Sequence, residues 1–351
     1  MTRGVAAAGR AGTAAAVLSA ACFMLAPVFA ARTLDFYFID VEGGQSTLIV
    51  TPAGQTLLVD TGFAADGRDP ARILAAVRDA GVARIDYLLL THFHGDHDGG
   101  LVEVARQIPI RTFIDHGVLA DNARDDPRYD EVTAPYDAYL PIRAKAKHLE
   151  PKPGDRLPLK GLDVVFVSSN RATIATPIPG AGEMNPACDG AAPPGGERIE
   201  NPRSTGFHLR FGKFQFIDLG DLSGPPLFAL LCPNDLLGPV DLYLVPHHGG
   251  SDVTYPATLA ERRPRAAIVD NGPVKGGPPS AMAALRRVLP PENLFLLHAS
   301  MLDGAQNGPD DQIANLDETT GHWIKASASE DGSFTVTNGR TGVTTRYGPR
   351  Q

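Results

Sequence analysis

Residues Thr91–Gly100 read THFHGDHDGG. Three of the chain's ten histidines, His92, His94 and His97, fall within six positions, with Asp96 among them and Asp98 directly after. The apolar run YLLL precedes them, so residues 85–91 (IDYLLLT) read as a buried strand whose C-terminal end runs into the cluster. Imidazole and carboxylate are the ligand types of divalent zinc, manganese or iron sites. Protonated imidazoles repel one another, so such crowding is explained if the rings stay neutral and bind cations. On a tight loop, alternate side chains point to two places. His92 and His94 suit one ion, and Asp96 and His97 suit a second about 3.5–4 Å away. Gly95, Gly99 and Gly100 fit a backbone folded closely around ions.

Upstream, LDFYFIDV (34–41), GGQSTLIV and QTLLVDTG read as strands, with Pro52–Gly54 as a turn. Asp69-Pro70 reads as an N-cap followed by proline at the first helical position, and Ile73, Leu74 and Val77 line one face of a helix closed by Gly81. Residues 100–108 read as a helix and 111–117 as a strand. Residues 171–203 are dense in Pro and Gly, lack periodicity and read as a long loop. TGFHLRFG, KFQFIDLGD, DLYLVP (241–246), RAAIVDNG and NLFLLHAS are later strands, with helices around PLFALL and AMAALRRVL. The tail reads as hairpins turned at Asp331-Gly332 and Asn338-Gly339. This order predicts an α/β fold, a sandwich of two sheets packed together inside helices, with polar clusters on short loops at one rim.

The first thirty residues read as a signal peptide. Arg3 and Arg10 give a positive start, an apolar stretch follows, and Val28 and Ala30 place small residues before a cleavage site at Ala31. A membrane anchor needs about 20 apolar residues, more than this stretch offers. Ser19 stands where a lipoprotein signal around Cys22 wants a large aliphatic residue. Cleavage would take 30 of the 351 residues, leave a single domain over 31–351, and move the formal charge from −8 to −10, since two arginines and no acid are lost. Such an acidic chain is not expected to hold nucleic acid stably, and no further run is long enough to span a membrane. Periplasmic or secreted location is expected. Export would permit a disulfide between Cys188 and Cys232, and two unpaired cysteines are equally compatible with the sequence.

THFHGDHDGG after YLLL resembles the H-x-H-x-D-H signature of the metallo-β-lactamase superfamily, whose fold is a four-layer αββα sandwich. FIDVEGGQSTLIVTPAGQTLLVDTG resembles the opening strands of that fold, FQFIDLGDL the strand ending in a metal-bridging aspartate, and LVPHHGGS the strand ending in a late metal-binding histidine. Within the superfamily, the early strands and the H-H-G-S run are most similar to the soluble hydrolase domain of DNA-uptake competence proteins and to phosphorylcholine-esterase-like relatives. The resemblance covers roughly residues 34–300.

The resemblance implies two divalent ions, zinc first, with manganese or iron as alternatives. His92 and His94 would bind the first, Asp96, His97 and His248 the second, and Asp221 would bridge them. Asp96 and His247 would carry the catalytic roles, His247 by contacting substrate phosphate or stabilising the leaving group. Asp60 would orient a ligand histidine. Most superfamily members place a third histidine of the first site just before the strand leading to the bridging aspartate. Here the run is ENPRSTGFHLRFG, and Asn201, Arg203 or Ser204 stands in that place. His208 is expected to be a half-buried structural residue, His116 and His298 to end strands near the rim, His148 and His322 to lie on the surface, and Lys275 to contact phosphate. The implied activity is hydrolysis of a phosphodiester or related ester by a hydroxide activated between the ions. A β-lactam or lactone hydrolase, and a non-catalytic metal-containing binding module, are the competing readings.

Overall fold

The computed structural model describes residues 1–2, 4, 33–125, 135–192, 195, 199–260 and 262–350. Arg3, Arg10, Cys22 and the Ala30–Ala31 junction of the expected signal segment lie outside the described residues. Residues Arg32–Gln351 form one unit.

Short apolar runs bounded by turn residues form β1 (Leu34–Phe38), β2 (Thr47–Val50) and β3 (Thr56–Val59). Helix α1 (Arg68–Asp79) buries Ile73, Leu74 and Val77, as the helical spacing predicts. Asp69 lies inside its first turn instead of capping it, and its carboxylate accepts the Phe63 N–H at 2.8 Å. Then come β4 (Ile85–Leu89), α2 (Gly95–Asp98), α3 (Leu101–Gln107), β5 (Ile110–Ile114), α4 (Pro135–Arg143) and β6 (Lys147–Leu149).

The second half runs through β7 (Asp163–Ser169), β8 (Ala172–Thr173), β9 (Gly206–Phe211), β10 (Phe214–Asp218), α5 (Gly224–Leu231) and β11 (Leu242–Leu244). It continues with α6 (Pro256–Leu259), β12 (Ala266–Val269), α7 (Pro279–Val288), β13 (Leu294–His298) and β14 (Ile313–Asn315). The tail hairpins are β15 (Ile324–Ala328), β16 (Phe334–Asn338) and β17 (Thr344–Tyr347). The sequence reading did not include β6, β7, β8 and β14 or the helices α4 and α6; β6, β8 and β14 have two or three residues, too few to display a period.

Among the described residues, the first sheet runs β17-β16-β15-β1-β2-β3-β4-β5-β6 and the second β14-β13-β12-β11-β10-β9-β7-β8. Strand alternation sorts the side chains into three apolar layers. Phe36 and Phe38 of β1 meet Phe214 and Phe216 of β10 between the sheets, and the Phe36 and Phe216 rings lie 4.7 Å apart. Tyr37, Leu48 and Leu88, on the opposite face of the first sheet, pack with Ile73 and Val77 of α1, Leu101 and Val104 of α3 and Tyr139 of α4. Ile217 and Tyr243 on the outer face of the second sheet pack with Leu227 and Leu230 of α5 and Met282 and Leu285 of α7. Three cores between four layers make the expected αββα sandwich.

Strands β3 to β6 pair in parallel, as do β10 to β14. Parallel strands deliver their C-terminal ends to one rim, the usual place for a ligand site in an open α/β sheet. The described residues of 171–203 are mostly irregular, as their composition predicts, apart from β8 and two short 3-10 turns. Cys188 and Cys232 are disulfide-bonded, with Cα atoms 5.6 Å apart, which ties that loop to the end of α5.

Candidate metal centre

The cluster that opens after β4 is not a simple loop. His94 caps a helical turn, α2, so Asp96 and His97 project from helix and not from alternating extended backbone. The result still separates the ligands into two sets. Donor atoms of His92, His94 and Asp221 lie within 4.8 Å of one another, as do those of Asp96, His97, Asp221 and His248. Asp221 belongs to both. It follows β10, while His247 and His248 follow β11, so three strand ends from two sheets meet here. Close packing holds the join together. Gly220, at φ +54°, has Thr91 so near that a Cβ would stand 2.6 Å from the threonine Cβ. The His247 N–H donates to the Gly220 carbonyl at 3.0 Å, and the Thr205 N–H to the Thr91 carbonyl at 2.8 Å.

Asp60, just past β3, organises the histidines. Its Oδ1 accepts the Thr91 N–H at 2.7 Å, and its Oδ2 accepts both the Thr91 hydroxyl and His97 Nδ1 at 2.7 Å. With its proton held on Nδ1, His97 turns the Nε2 lone pair toward Asp221 Oδ1, 3.3 Å away. The Thr91 hydroxyl also lies 3.1 Å from His92 Nδ1, which extends the same orientation to His92. His248 Nε2 stands 3.1 Å from Asp96 Oδ2 and 3.4 Å from Asp221 Oδ2. His97 Nε2 and Asp221 Oδ1 are buried without a hydrogen-bond partner among the described residues, as expected of atoms aimed at an ion.

The electrostatics agree. Burial works against the charged form of Asp221, yet His248, His97 and His247 hold it well below the usual carboxylate range. Asp96 behaves alike, with burial overcome chiefly by Lys275 and His97. Burial also opposes charge on His97 and His248, but the Asp221 carboxylate, first among their partners, pushes both well up. His92 is held well down by burial and by its histidine neighbours. A pocket that keeps carboxylates ionised and favours positive charge on imidazole suits cations. Asp218, the last residue of β10, is pushed up by burial to about 7; both its oxygens accept from Gln45 Nε2 at 3.0 Å, and Oδ1 also accepts the Gly220 N–H at 3.0 Å. Burial pushes Asp98 well up, and neither of its oxygens has a hydrogen-bond partner among the described residues.

The remaining predicted residues divide. Lys275 reaches the centre: its ammonium contacts Asp96 Oδ2 and lies 5.3 Å from the Phe63 ring centroid. Asn201 also reaches it, with Nδ2 at 3.2 Å from His247 Nε2. His247 Nδ1 is held by both oxygens of Asp252 at 3.0 Å, and its Nε2 lies 3.7 Å from Asp221 Oδ2. His247 and His248 have φ of +49° and +52°. Successive left-handed non-glycine residues cost on the order of 1–3 kcal/mol each, a strain that here sets the direction of two side chains.

His116 does not face the ligand sets. Its Nε2 bonds Glu200 Oε2 at 2.9 Å. His298 donates from Nδ1 to the Ala299 carbonyl at 2.8 Å and belongs to neither set. Arg203 turns away to the Ile199 carbonyl at 3.2 Å, and the carbonyl of Ser204 accepts from the Ser168 hydroxyl at 2.9 Å. His208 is more deeply buried than expected, at 5% exposure, and burial drives its pKa down to about 3. His148 is not a free surface residue, since it pairs with buried Asp115 at 2.9 Å. His322 is half-buried.

Sequence reading missed Glu200. Its buried carboxylate accepts the Phe93 N–H at 3.2 Å, between the two histidines of the motif, and the Ala120 N–H at 3.0 Å. It thus braces the motif backbone from the run where a third histidine is expected. An acid in a Pro/Gly-rich loop carries no signal of such a role. Asp252, four residues beyond the histidine pair, was equally silent.

Residues 39–185 match the family profile described as Metallo-beta-lactamase superfamily. A UPF0173 metal-dependent hydrolase of Staphylococcus saprophyticus is 34% identical over 64 residues, 18% of this chain and 25% of that protein. The chain therefore aligns with about a quarter of that relative's length. Among solved structures, a metallo hydrolase (Igni18) from the archaeon Ignicoccus hospitalis is 14% identical, with 68% of this chain and 83% of that one covered and a TM-score of 0.36. MEM-A1, a subclass B3 metallo-β-lactamase from a soil metagenome, is 18% identical over 67% of this chain and 72% of that one, at a TM-score of 0.34. A mutant of the β-hydroxylase CmlA, the diiron enzyme of Streptomyces venezuelae, is 16% identical over 72% and 48%, at 0.38.

Proposed function

We propose that the chain is a member of the metallo-β-lactamase superfamily, whose profile its residues 39–185 match, and that it is an exported hydrolase of phosphodiester or related ester bonds that works with two divalent ions. The observation that carries this reading is the pair of ligand sets that share Asp221. His92, His94 and Asp221 would hold one ion, and Asp96, His97, Asp221 and His248 the other. Such a pair supplies a nucleophile from water at neutral pH and charge stabilisation at the attacked group.

The chain's own residues do the positioning. Asp60 holds the His97 proton on Nδ1, leaving Nε2 as a lone-pair donor. Lys275 brings an ammonium to the Asp96 side, where it suits an anionic oxygen of substrate, and its partial exposure leaves it reachable. An anionic phosphodiester fits that charge. The departure at 201–204 and the H-H-G-S run support a relation to the competence-type hydrolases over β-lactam or lactone hydrolases. The signal pattern at 1–30 and the Cys188–Cys232 disulfide support an envelope location, because disulfides persist in oxidising compartments.

The test loads purified protein with zinc, manganese or iron and offers bis(p-nitrophenyl) phosphate, nitrocefin and an acyl-homoserine lactone. Turnover of the phosphodiester, lost in Asp221→Ala, is expected. Turnover of nitrocefin or the lactone alone would replace the phosphodiester reading with the competing one. Full metal loading without turnover of any of the three would favour the binding module.

A further inference from the structure

The first ion site is short of a ligand. His92 and His94 face Asp221, and Asn201, Arg203 or Ser204 stands where the third histidine is expected. One imidazole nearby is not yet assigned to an ion. His247 has its Nε2 at 3.2 Å from the Asn201 amide and 3.7 Å from Asp221 Oδ2. The same Asp221 oxygen lies 3.4 Å from His248 Nε2 and 3.9 Å from His92 Nε2. Adjacent histidines thus approach one carboxylate oxygen. His248 does so with Asp96 and His97, the second set, while His247 does so beside Asn201, where the first set is incomplete.

We propose that His247 is the third imidazole of the first ion site, in place of the histidine that the chain lacks at 201–204. This rests on the binuclear reading above. It assigns His247 to the ion and not to the leaving group, where the motif resemblance put it.

Three features on the molecule carry it. Both oxygens of Asp252 lie 3.0 Å from His247 Nδ1, the carboxylate–histidine arrangement that fixes a ring with Nε2 as the lone-pair donor. A donating Asn201 amide at that Nε2 is consistent with the same tautomer. The left-handed backbone at both His247 and His248 turns consecutive rings toward the shared aspartate, which ordinary extended backbone would send to opposite faces. Nε2 of His247 lies outside the tight His92–His94–Asp221 group, so ligation exchanges the Asn201 hydrogen bond for the ion. Asp252 is then a positioning residue for the first site.

The experiment is cobalt loading of the mature protein, read as bound metal per chain and as the visible absorption of each site. His92→Ala and His248→Ala serve as references for loss of the first and second ion. The parent is expected to hold about two ions. His247→Ala should keep one, with the spectrum of His92→Ala, and the double variant His92→Ala/His247→Ala should lose no more. Asp252→Asn should weaken the first ion by about 10–100-fold and leave the second unchanged. Adding Asn201→His to His247→Ala should return the second equivalent of metal. Retention of both ions at parental affinity in His247→Ala would overturn the proposal and restore the leaving-group role. Loss of the ion that His248→Ala loses would also overturn it. Circular dichroism reports folding. Should His247→Ala unfold, Asp252→Asn decides: a weakened first ion supports the assignment, and two unchanged affinities overturn it. A folded parent that binds no more than one ion would instead overturn the binuclear reading itself.

Discussion

Asp60 and His97 are joined by a 2.7 Å hydrogen bond although 37 residues separate them, and both are fully buried. The strand end of β3 therefore fixes the tautomer of a histidine carried by α2. Asp60→Asn replaces an obligate acceptor by a group that also donates, so the Nδ1 proton is no longer held as firmly. Affinity for the ion at His97 is expected to fall by about 10–100-fold. Competition with a chelator of known affinity measures this, and unchanged affinity would remove Asp60 from the site.

Lys275 contacts Asp96 from the loop after β12. Lys275→Gln removes a cation from the approach to the second ion while leaving every proposed ligand in place. The KM for an anionic phosphodiester is expected to rise about tenfold, a loss of about 1.4 kcal/mol, with metal content near the parental level. A kcat that falls with KM constant would move Lys275 from binding to the chemical step.

His208 gives a stability prediction away from the ligands. Burial, then the nearby Arg262 charge, lowers its pKa to about 3. The unfolded chain takes up that proton near pH 6.5. Because the folded state binds fewer protons between those values, this residue's contribution is present above about pH 6.5 and is lost progressively as pH falls toward 3. Urea unfolding of the parent should weaken over that window, and His208→Phe should flatten the dependence. Parallel pH profiles for the two proteins would show that the ring is already accommodated as a cation.

The Cys188–Cys232 disulfide closes a segment with a sequence separation of 44 and ties the 171–203 loop to the end of α5. Cys188→Ser with Cys232→Ser is expected to lower stability by about 2–4 kcal/mol, read by denaturant unfolding. The ligand sets lie on strand ends and α2, so metal content should survive. Loss of metal together with stability would mean that this loop also positions the centre.

Much of this molecule is local in origin. The alternation of Phe36 and Phe38 with Tyr37, the helical spacing of Ile73, Leu74 and Val77, and the concentration of His92, His94, Asp96 and His97 are all written in neighbouring residues. Periods of 2 and 3.6 encode which face is buried, and ligand chemistry clusters on one short segment, so the sandwich and the motif are legible from the chain alone. The structure decided what depends on residues far apart. Glu200 bracing Phe93, Asp60 holding His97, Asp252 holding His247, and Cys188 meeting Cys232 have no sequence period, because each partner is brought by a different strand end or loop. The two ligand sets share Asp221 only because β4, β10 and β11 end at the same rim. The split of His92 and His94 from Asp96 and His97 was local; the joining of Asp221 and His248 to them is a property of how two sheets pack, since packing alone sets distances between elements that are not neighbours in the chain.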